Sequence, residues 1–226
     1  MAKKKNIKKT RWMKWLAGGV AFISTFLITV LCCSACADHD EMYDAGIKVG
    51  NILLADNTIV SPNSFNPDNM RAVGVIFYAK GDTAIAVAPD ELGDLCFSDS
   101  IGSISGVSKD SYSINGLTST AAMMVSALNT PAAKACVEYS SPLSGWYLPS
   151  AGELRWLSHN LYQVAEAMRI IGGTPFDDVQ YVSSSEDNSS SNNAVVNCYC
   201  VSLLRGYAVS VSKKECHRVR PVVLVH

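Results

Sequence analysis

The chain has 226 residues and a mass of 24.3 kDa, which suits one domain of ordinary size or two very small ones. It is 48% hydrophobic and 17% charged, a composition typical of a globular protein and not of a disordered or collagen-like one. The net charge of −1 hides a segregation, because residues 37–226 alone hold 12 basic and 20 acidic residues, a net charge of −8. We call residues 37–226 the body of the chain. Its acidic charge argues against a nucleic-acid-binding protein, because such a protein needs a basic surface.

The amino terminus has the pattern of an export signal. A basic run is followed by a nearly uncharged apolar stretch, Trp15–Cys33, and by small residues before Cys36. The segment 33–36 (CSAC) resembles a bacterial lipobox, with Cys33 where leucine is usual. It predicts a lipoprotein signal peptide over residues 1–36 and lipidation of Cys36. An uncleaved anchor and simple secretion are the alternatives, since about 19 apolar residues can span a bilayer.

The segment 37–47 is predicted to be an acidic tether. Its acidic start (DHDE, 38–41) resembles the export tags of surface lipoproteins in Bacteroidetes-like bacteria, and a solvated linker is the alternative. We therefore expect the protein in the cell envelope, as a surface-exposed outer-membrane lipoprotein. The membrane is its one expected partner besides an unknown surface ligand, protein or glycan.

Five cysteines follow the leader: Cys96, Cys136, Cys198, Cys200 and Cys216. Because five is odd, at least one must stay unpaired in an oxidising compartment. Cys198 and Cys200 would face the same side of a strand, so a bridge between them is disfavoured. Neither the cysteine spacing nor the few histidines indicate a zinc site.

The first half of the body predicts two β-hairpins and two loops. In chain order these are a hairpin at 48–61 turning at Asp56-Asn57, a polar loop at 61–70, a hairpin of Ala72–Ala79 and Thr83–Ala88, and a long loop at 97–114.

The middle of the chain predicts helices. Thr130 is expected to cap a helix that has Pro131 at its first position. Ser150 and Glu153 form a capping-box pattern, which indicates a structural cap and not a chemical role. The predicted helices are 118–128, 131–139, 151–160 and 161–171, the last stopped by Gly172-Gly173.

The tail predicts a return to strands. These are Val179–Ser183, Ala194–Leu204, Tyr207–Ser212 and a closing strand Arg218–Val225, with a polar loop at 184–193. Strands, a helical block and further strands together predict an α+β domain over residues 48–226 with an antiparallel sheet.

Four motifs resemble one family in the same order. Residues 145–154 (GWYLPSAGEL), 181–186 (YVSSSE), Gly206 and 218–222 (RVRPV) resemble the signature segments of DUF1566, the carboxy-terminal domain of Legionella collagen-like proteins and of many Bacteroidales surface proteins. Val182 and Val195 depart from it, because the family has tryptophan there. The resemblance implies a C-type-lectin-like fold: a small twisted antiparallel sheet framed by two or three helices, with long ligand-presenting loops.

Four side chains near these motifs carry structural expectations. Trp146 and Trp156 are expected to be buried core anchors, because tryptophans beside a capped helix bury a large area. Arg218 and Arg220 are expected on one strand face, either in ion pairs with the acidic body or in contact with an anionic ligand.

The last three dozen residues also resemble the variable region of retroelement-diversified target proteins, which use a lectin-like fold. They mix Cys, Tyr, Ser, Leu, Arg and His just ahead of the closing motif. An ordinary family member with a tolerant surface is the alternative.

We predict a lipid-anchored binding protein whose carboxy-terminal strands present the ligand site. Tyrosine and serine suit such a face, because they combine contact area with adaptable hydrogen bonding. The candidate residues are Asn197, Tyr199, Leu203, Tyr207, Val209, Ser210, Ser212 and His217.

Two other classes are weighed against it. One is a structural or fimbria-associated cell-envelope subunit that uses the same tail as an interface. The other is an enzyme, disfavoured because no nucleophile–base pair, metal motif or phosphate loop is present. The segment 186–188 (EDN) has too few oxygen ligands for calcium, and no cofactor or metal is expected.

Overall fold

The computed structural model describes residues 46–190 and 192–226, which belong to a unit spanning Ala45–His226. The predicted signal peptide, Cys36 and most of the acidic tether lie outside the described residues. Within the described part of the chain, helices and two mainly antiparallel sheets confirm the predicted α+β class, with two sheets where one small sheet was expected.

The first sheet has six strands and the second has five. In spatial order the first sheet contains β2 (Ile59–Val60), β1 (Ile52–Leu54), β3 (Ala72–Lys80), β4 (Thr83–Val87), β11 (Val222–Val225) and β6 (Trp146–Tyr147). The second contains β5 (Asp94–Cys96), β10 (Cys216–Arg218), β7 (Gln180–Glu186), β8 (Asn197–Ser202) and β9 (Ala208–Ser212). The helices are α1 (Gly116–Met124), α2 (Pro131–Val137), α3 (Ala151–His159), α4 (Leu161–Ile170) and α5 (Asn193–Val196), with a 3-10 turn at Pro62–Ser64.

Both predicted hairpins are confirmed. In the β1–β2 turn, Asn57 adopts a positive φ of 66°, and the backbone N–H of Thr58 donates to Oδ1 of Asp56 at 3.0 Å. Asparagine and aspartate suit this turn because their short side chains tolerate that conformation and hydrogen-bond locally. The β3–β4 hairpin turns at Gly81, where φ is +60°.

The capping box of α3 is also confirmed. The backbone N–H of Glu153 donates to Oγ of Ser150 at 3.2 Å, and the backbone N–H of Ser150 donates to Oε2 of Glu153 at 2.8 Å. Thr130 occupies the predicted N-cap position of α2, but its side chain makes no capping hydrogen bond, because its hydroxyl donates back to the carbonyl of Met123 at 3.4 Å. Pro131 still opens α2, since its missing N–H would have no intrahelical partner.

The single closing strand predicted at Arg218–Val225 is wrong. The chain leaves the second sheet after β10 and enters the first sheet as β11, with Pro221 in the crossing segment. Cys216 on β10 lies opposite Cys96 on β5, and the two form a disulfide. The other three described cysteines, Cys136, Cys198 and Cys200, are buried thiols, so Cys198 and Cys200 do not bridge each other.

Two further boundaries in the tail differ from the predictions. Residues 184–186 were expected in a polar loop, yet they extend β7 and are buried. Residues 194–196 were expected in a strand, yet they belong to the short helix α5.

The two tryptophans have different environments. Trp146 is 3% exposed and packs in the core on one side of the first sheet, as predicted. Trp156 is 42% exposed, so its prediction as a core anchor is wrong. Helix α3 buries the face that carries Leu154 and Leu157, and residue 156 lies off that face.

Candidate functional site

The eight predicted site residues do not form one surface. Seven of them have exposed or half-buried side chains, whereas Leu203 is 1% exposed. Leu203 belongs to the largest core cluster, and the hydroxyl of Ser158 on α3 donates to its carbonyl at 2.5 Å. Leu203 therefore packs in the core next to α3. The prediction that it contacts a ligand is wrong.

Three of the predicted residues converge on one face of the β8–β9 pair. Tyr199 lies directly opposite Ser210, and Asn197 Nδ2 donates to Oγ of Ser210 at 3.0 Å. The hydroxyl of Ser210 donates to Oδ2 of the buried Asp187 at 2.5 Å. The hydroxyl of Tyr199 donates to Oδ1 of Asn188 at 3.2 Å. We call Asn197, Tyr199, Ser210 and Asp187 the polar face.

Asp187 organises the polar face as an ionised acceptor. Burial disfavours its charge, but hydrogen bonds from the Ser210 hydroxyl and from the backbone and side chain of Ser189 outweigh that cost and lower its pKa to about 2. Asn193 Nδ2 also donates to Asp187, at 2.9 Å. A fixed negative charge therefore lies beneath the tyrosine and serine side chains.

Val209, His217 and Tyr207 lie away from the polar face, whereas Ser212 lies beside it, opposite Asn197. Val209 is half-buried and packs against the second core cluster, on the sheet side opposite Ser210. His217 is on β10, and strands β7 and β8 lie between β10 and β9. At the usual strand spacing, His217 is therefore roughly 14 Å from β9. Tyr207, 45% exposed, precedes β9, and Ser212 ends β9 opposite Asn197.

A buried ion pair lies next to the polar face along the chain, between the residue that precedes Asp187 and the residue that follows β9. Nζ of Lys213 lies 2.6 Å from Oε1 of Glu186, and neither side chain is exposed. Lys213 also donates to the carbonyls of Gly102 and Ala194, at 2.5 and 2.7 Å. Glu186 accepts from the backbone N–H of Ile104 at 2.7 Å. These bonds fasten the long loop predicted at 97–114 to β7 and to the end of β9.

The predicted structural pairing of the two tail arginines is confirmed. Arg218 and Arg220 both contact Glu91, at 3.2 and 3.5 Å. Arg220 is buried and also donates to the carbonyls of Ala88, Pro89 and Thr174. The two arginines do not share a strand, since Arg218 ends β10 and Arg220 lies in the crossing segment.

A second surface was not identified in the sequence. A groove of about 270 Å³ on α3 is lined by Tyr112, Gly152, Arg155, Trp156 and His159. We call it the aromatic groove. The Arg155 guanidinium lies 4.2 Å from the centre of the Tyr112 ring. The sequence signal for this groove is the order Arg-Trp-x-x-His at 155–159, which places Arg155 and His159 one helical turn apart, but the expected burial of Trp156 argues against a surface site there.

The glutamate beside this groove is structural. Glu153 is buried and accepts from the backbone N–H of Gly116 at 3.1 Å as well as from Ser150. Burial raises its pKa to about 7, although these hydrogen bonds oppose the shift. It therefore joins the start of α3 to the start of α1.

Metal-binding clusters and membrane-spanning helices are both absent from the described residues. No group of three or more His, Cys, Asp or Glu side chains in that part of the chain could hold a metal ion. No described helix combines the length and apolarity required to cross a bilayer.

The described unit is an α+β domain with a polar face on one sheet and an aromatic groove on a helix. The sequence matches no family model and no curated protein. The structure is similar to that of a fimbrial protein from Bacteroides ovatus ATCC 8483, with a TM-score of 0.61 and 16% identity. The similarity covers 80% of this chain and 49% of that chain, so this chain spans about half the length of that protein.

Proposed function

We propose that this chain is a fimbria-associated subunit of the bacterial cell envelope, exported and anchored through lipidation of Cys36. The fold shared with the Bacteroides ovatus fimbrial protein over 80% of the chain is the observation that carries the proposal. The basic and apolar leader, with its lipobox-like segment, supports the same location.

An open sheet edge offers a means of assembly. Strand β9 ends the second sheet, and only β8 pairs with it among the described residues. Ser202 N donates to Tyr207 O and Lys213 N donates to Val196 O, so the odd-numbered residues of β9 bond to β8. The backbone groups of Ala208 and Ser210 therefore point away from the sheet. No charged residue interrupts 206–212, so the edge lacks the usual protection against strand addition.

The strand that pairs with the free edge of β9 is an extended segment of a neighbouring subunit. In the experiment below, that subunit is a second copy of this chain. Replacing Ala208 by proline removes an outward N–H without removing a bond to β8, and proline is tolerated at the first residue of an edge strand. We expect Ala208→Pro to abolish concentration-dependent self-association of the full chain in detergent, measured by sedimentation velocity.

Ala208→Ser is the matched control, because it keeps the N–H and should associate like the wild type. Circular dichroism melting shows whether the proline variant is folded. A wild-type chain that stays monomeric at all concentrations contradicts the assembly role. Equal loss of association in both variants contradicts the role of the edge.

A second candidate function is ligand binding by the polar face. The observation in its favour is that Asn197, Tyr199 and Ser210, all predicted from sequence, converge on the ionised Asp187. The proposed relationship to lectin-like surface proteins, including diversified ones, would place a variable ligand site on these strands.

Tyr199→Ala tests this candidate against a panel of immobilised glycans and extracellular proteins. We expect it to weaken by roughly tenfold any binding that the polar face provides, because aromatic side chains dominate such contacts. Tyr162→Ala is the control, since Tyr162 is 81% exposed on α4, away from β8. Unchanged binding by Tyr199→Ala, or an equal loss in the control, contradicts the candidate.

A further inference from the structure

We propose that the aromatic groove binds the carboxylated sugar ring of an acidic glycan, with a hexuronate as the recognised unit. This inference stands on the groove alone and does not depend on the fimbrial role. The volume of about 270 Å³ lies just below the usual range of about 300–1,000 Å³ for ligand pockets, which suits a ligand as small as a single sugar ring.

Trp156 supplies a fixed platform. Its ring makes edge-on contacts with Tyr78, at 5.4 Å between centroids, and with His159, at 5.8 Å. These contacts hold the ring in place while 42% of the residue stays exposed to solvent. An indole held in this way can stack against the C–H face of a pyranose without a loss of side-chain freedom on binding.

Arg155 gives the groove its preference for a negatively charged ligand. Arg169, Arg205, Arg218 and Arg220 each lie within 4 Å of a carboxylate. Arg155 and Arg71 have no such partner among the described residues, and of these two Arg155 stacks on an aromatic ring, that of Tyr112. In a chain whose body carries a net charge of −8, a cation left without a carboxylate beside an aromatic platform favours an anionic ligand.

His159 provides a second polar group in the same groove. It contacts Trp156 and makes no side-chain hydrogen bond in the part of the chain that the structure describes. Its ring nitrogens and the guanidinium of Arg155 can therefore both serve one carboxylate, together with a neighbouring sugar hydroxyl.

The groove wall is built in advance of binding. The hydroxyl of Ser150 donates to the carbonyl of Ser113 at 2.7 Å, and Oδ1 of Asp110 accepts from the backbone N–H of Tyr112 at 2.9 Å. These bonds hold Tyr112 over Arg155. The arrangement is therefore a preorganised site and not an incidental contact between exposed side chains.

The test compares two ligands that differ in one carboxylate. Methyl β-glucuronide and methyl β-glucoside are titrated into the full chain in detergent and followed by saturation-transfer difference NMR. We expect the glucuronide to bind with a Kd of about 1 mM and the glucoside at least about tenfold more weakly. Arg155→Gln should reduce glucuronide binding to the level of the glucoside, and Trp156→Ala should abolish binding of both.

Arg169→Gln is the matched control, because Arg169 is an exposed arginine on α4 outside the groove. It should bind the glucuronide like the wild type, and thermal melting should confirm that all variants are folded. Equal binding of the two ligands overturns the proposal, as does equal loss in the control. Tighter binding of a capped acidic peptide than of the glucuronide would also overturn it, by identifying a peptide site.

Discussion

Lys213→Met is expected to destabilise the protein by about 3–5 kcal/mol, because it leaves the charge of Glu186 buried without its partner. Methionine fills most of the space of the lysine stem, so the loss reflects electrostatics and hydrogen bonding more than a cavity. The carbonyls of Gly102 and Ala194 lose their donor at the same time. Urea unfolding followed by circular dichroism measures the change.

Two variants test the cause. Lys214→Met alters an exposed neighbour and should change stability by less than about 0.5 kcal/mol. Adding Glu186→Gln to Lys213→Met should recover part of the loss, because glutamine removes the charge and can still accept from the N–H of Ile104. A loss no larger than that of Lys214→Met, or no recovery in the double variant, contradicts this account.

Gly152→Ala is expected to destabilise the protein by about 1–3 kcal/mol, although alanine normally stabilises a helix relative to glycine. A Cβ at this position would lie 2.5 Å from the carbonyl oxygens of both Tyr112 and Ser113. Both atoms belong to the backbone, so the loop must move away from α3. This movement also takes Tyr112 off Arg155, and glucuronide binding should fall with stability.

Gly93→Ala separates this packing effect from a general cost of replacing glycine. Gly93 has a φ of +79°, and a Cβ added there would meet no atom within 4 Å, so its replacement costs backbone strain alone, of order 1–2 kcal/mol. It should leave glucuronide binding unchanged. If Gly152→Ala melts at or above the wild-type temperature, the close approach of the loop to α3 is not as described.

Local structure could be predicted because neighbouring residues determine it. The turn at Asp56-Asn57 and the capping box of Ser150 and Glu153 both depend on hydrogen bonds between residues two or three apart. The stop at Gly172 likewise depends on its positive φ of 72°. No distant contact is needed to recognise these features in a sequence.

The polar face could be predicted only in part. The alternation of β8 and β9 placed Tyr199 and Ser210 on a surface, because side chains alternate along a strand. It did not show that Asp187 lies beneath them, because the sequence 184–193 looks like a solvated loop. One of its buried serines meets a partner far along the chain, since Oγ of Ser185 accepts from the backbone N–H of Ala151 at 3.1 Å.

The sequence by itself determined the turns, the helix cap, the α+β class and the strand character of the tail, since these follow from local hydrogen bonding and periodicity. Only the tertiary structure decided the burial and the pairings that depend on distant segments. It buried Leu203 and the Lys213–Glu186 pair, exposed Trp156, paired Cys96 with Cys216 and divided the tail between two sheets. Burial and pairing depend on which distant segment packs against a residue, and the pattern of neighbouring residues does not specify that segment.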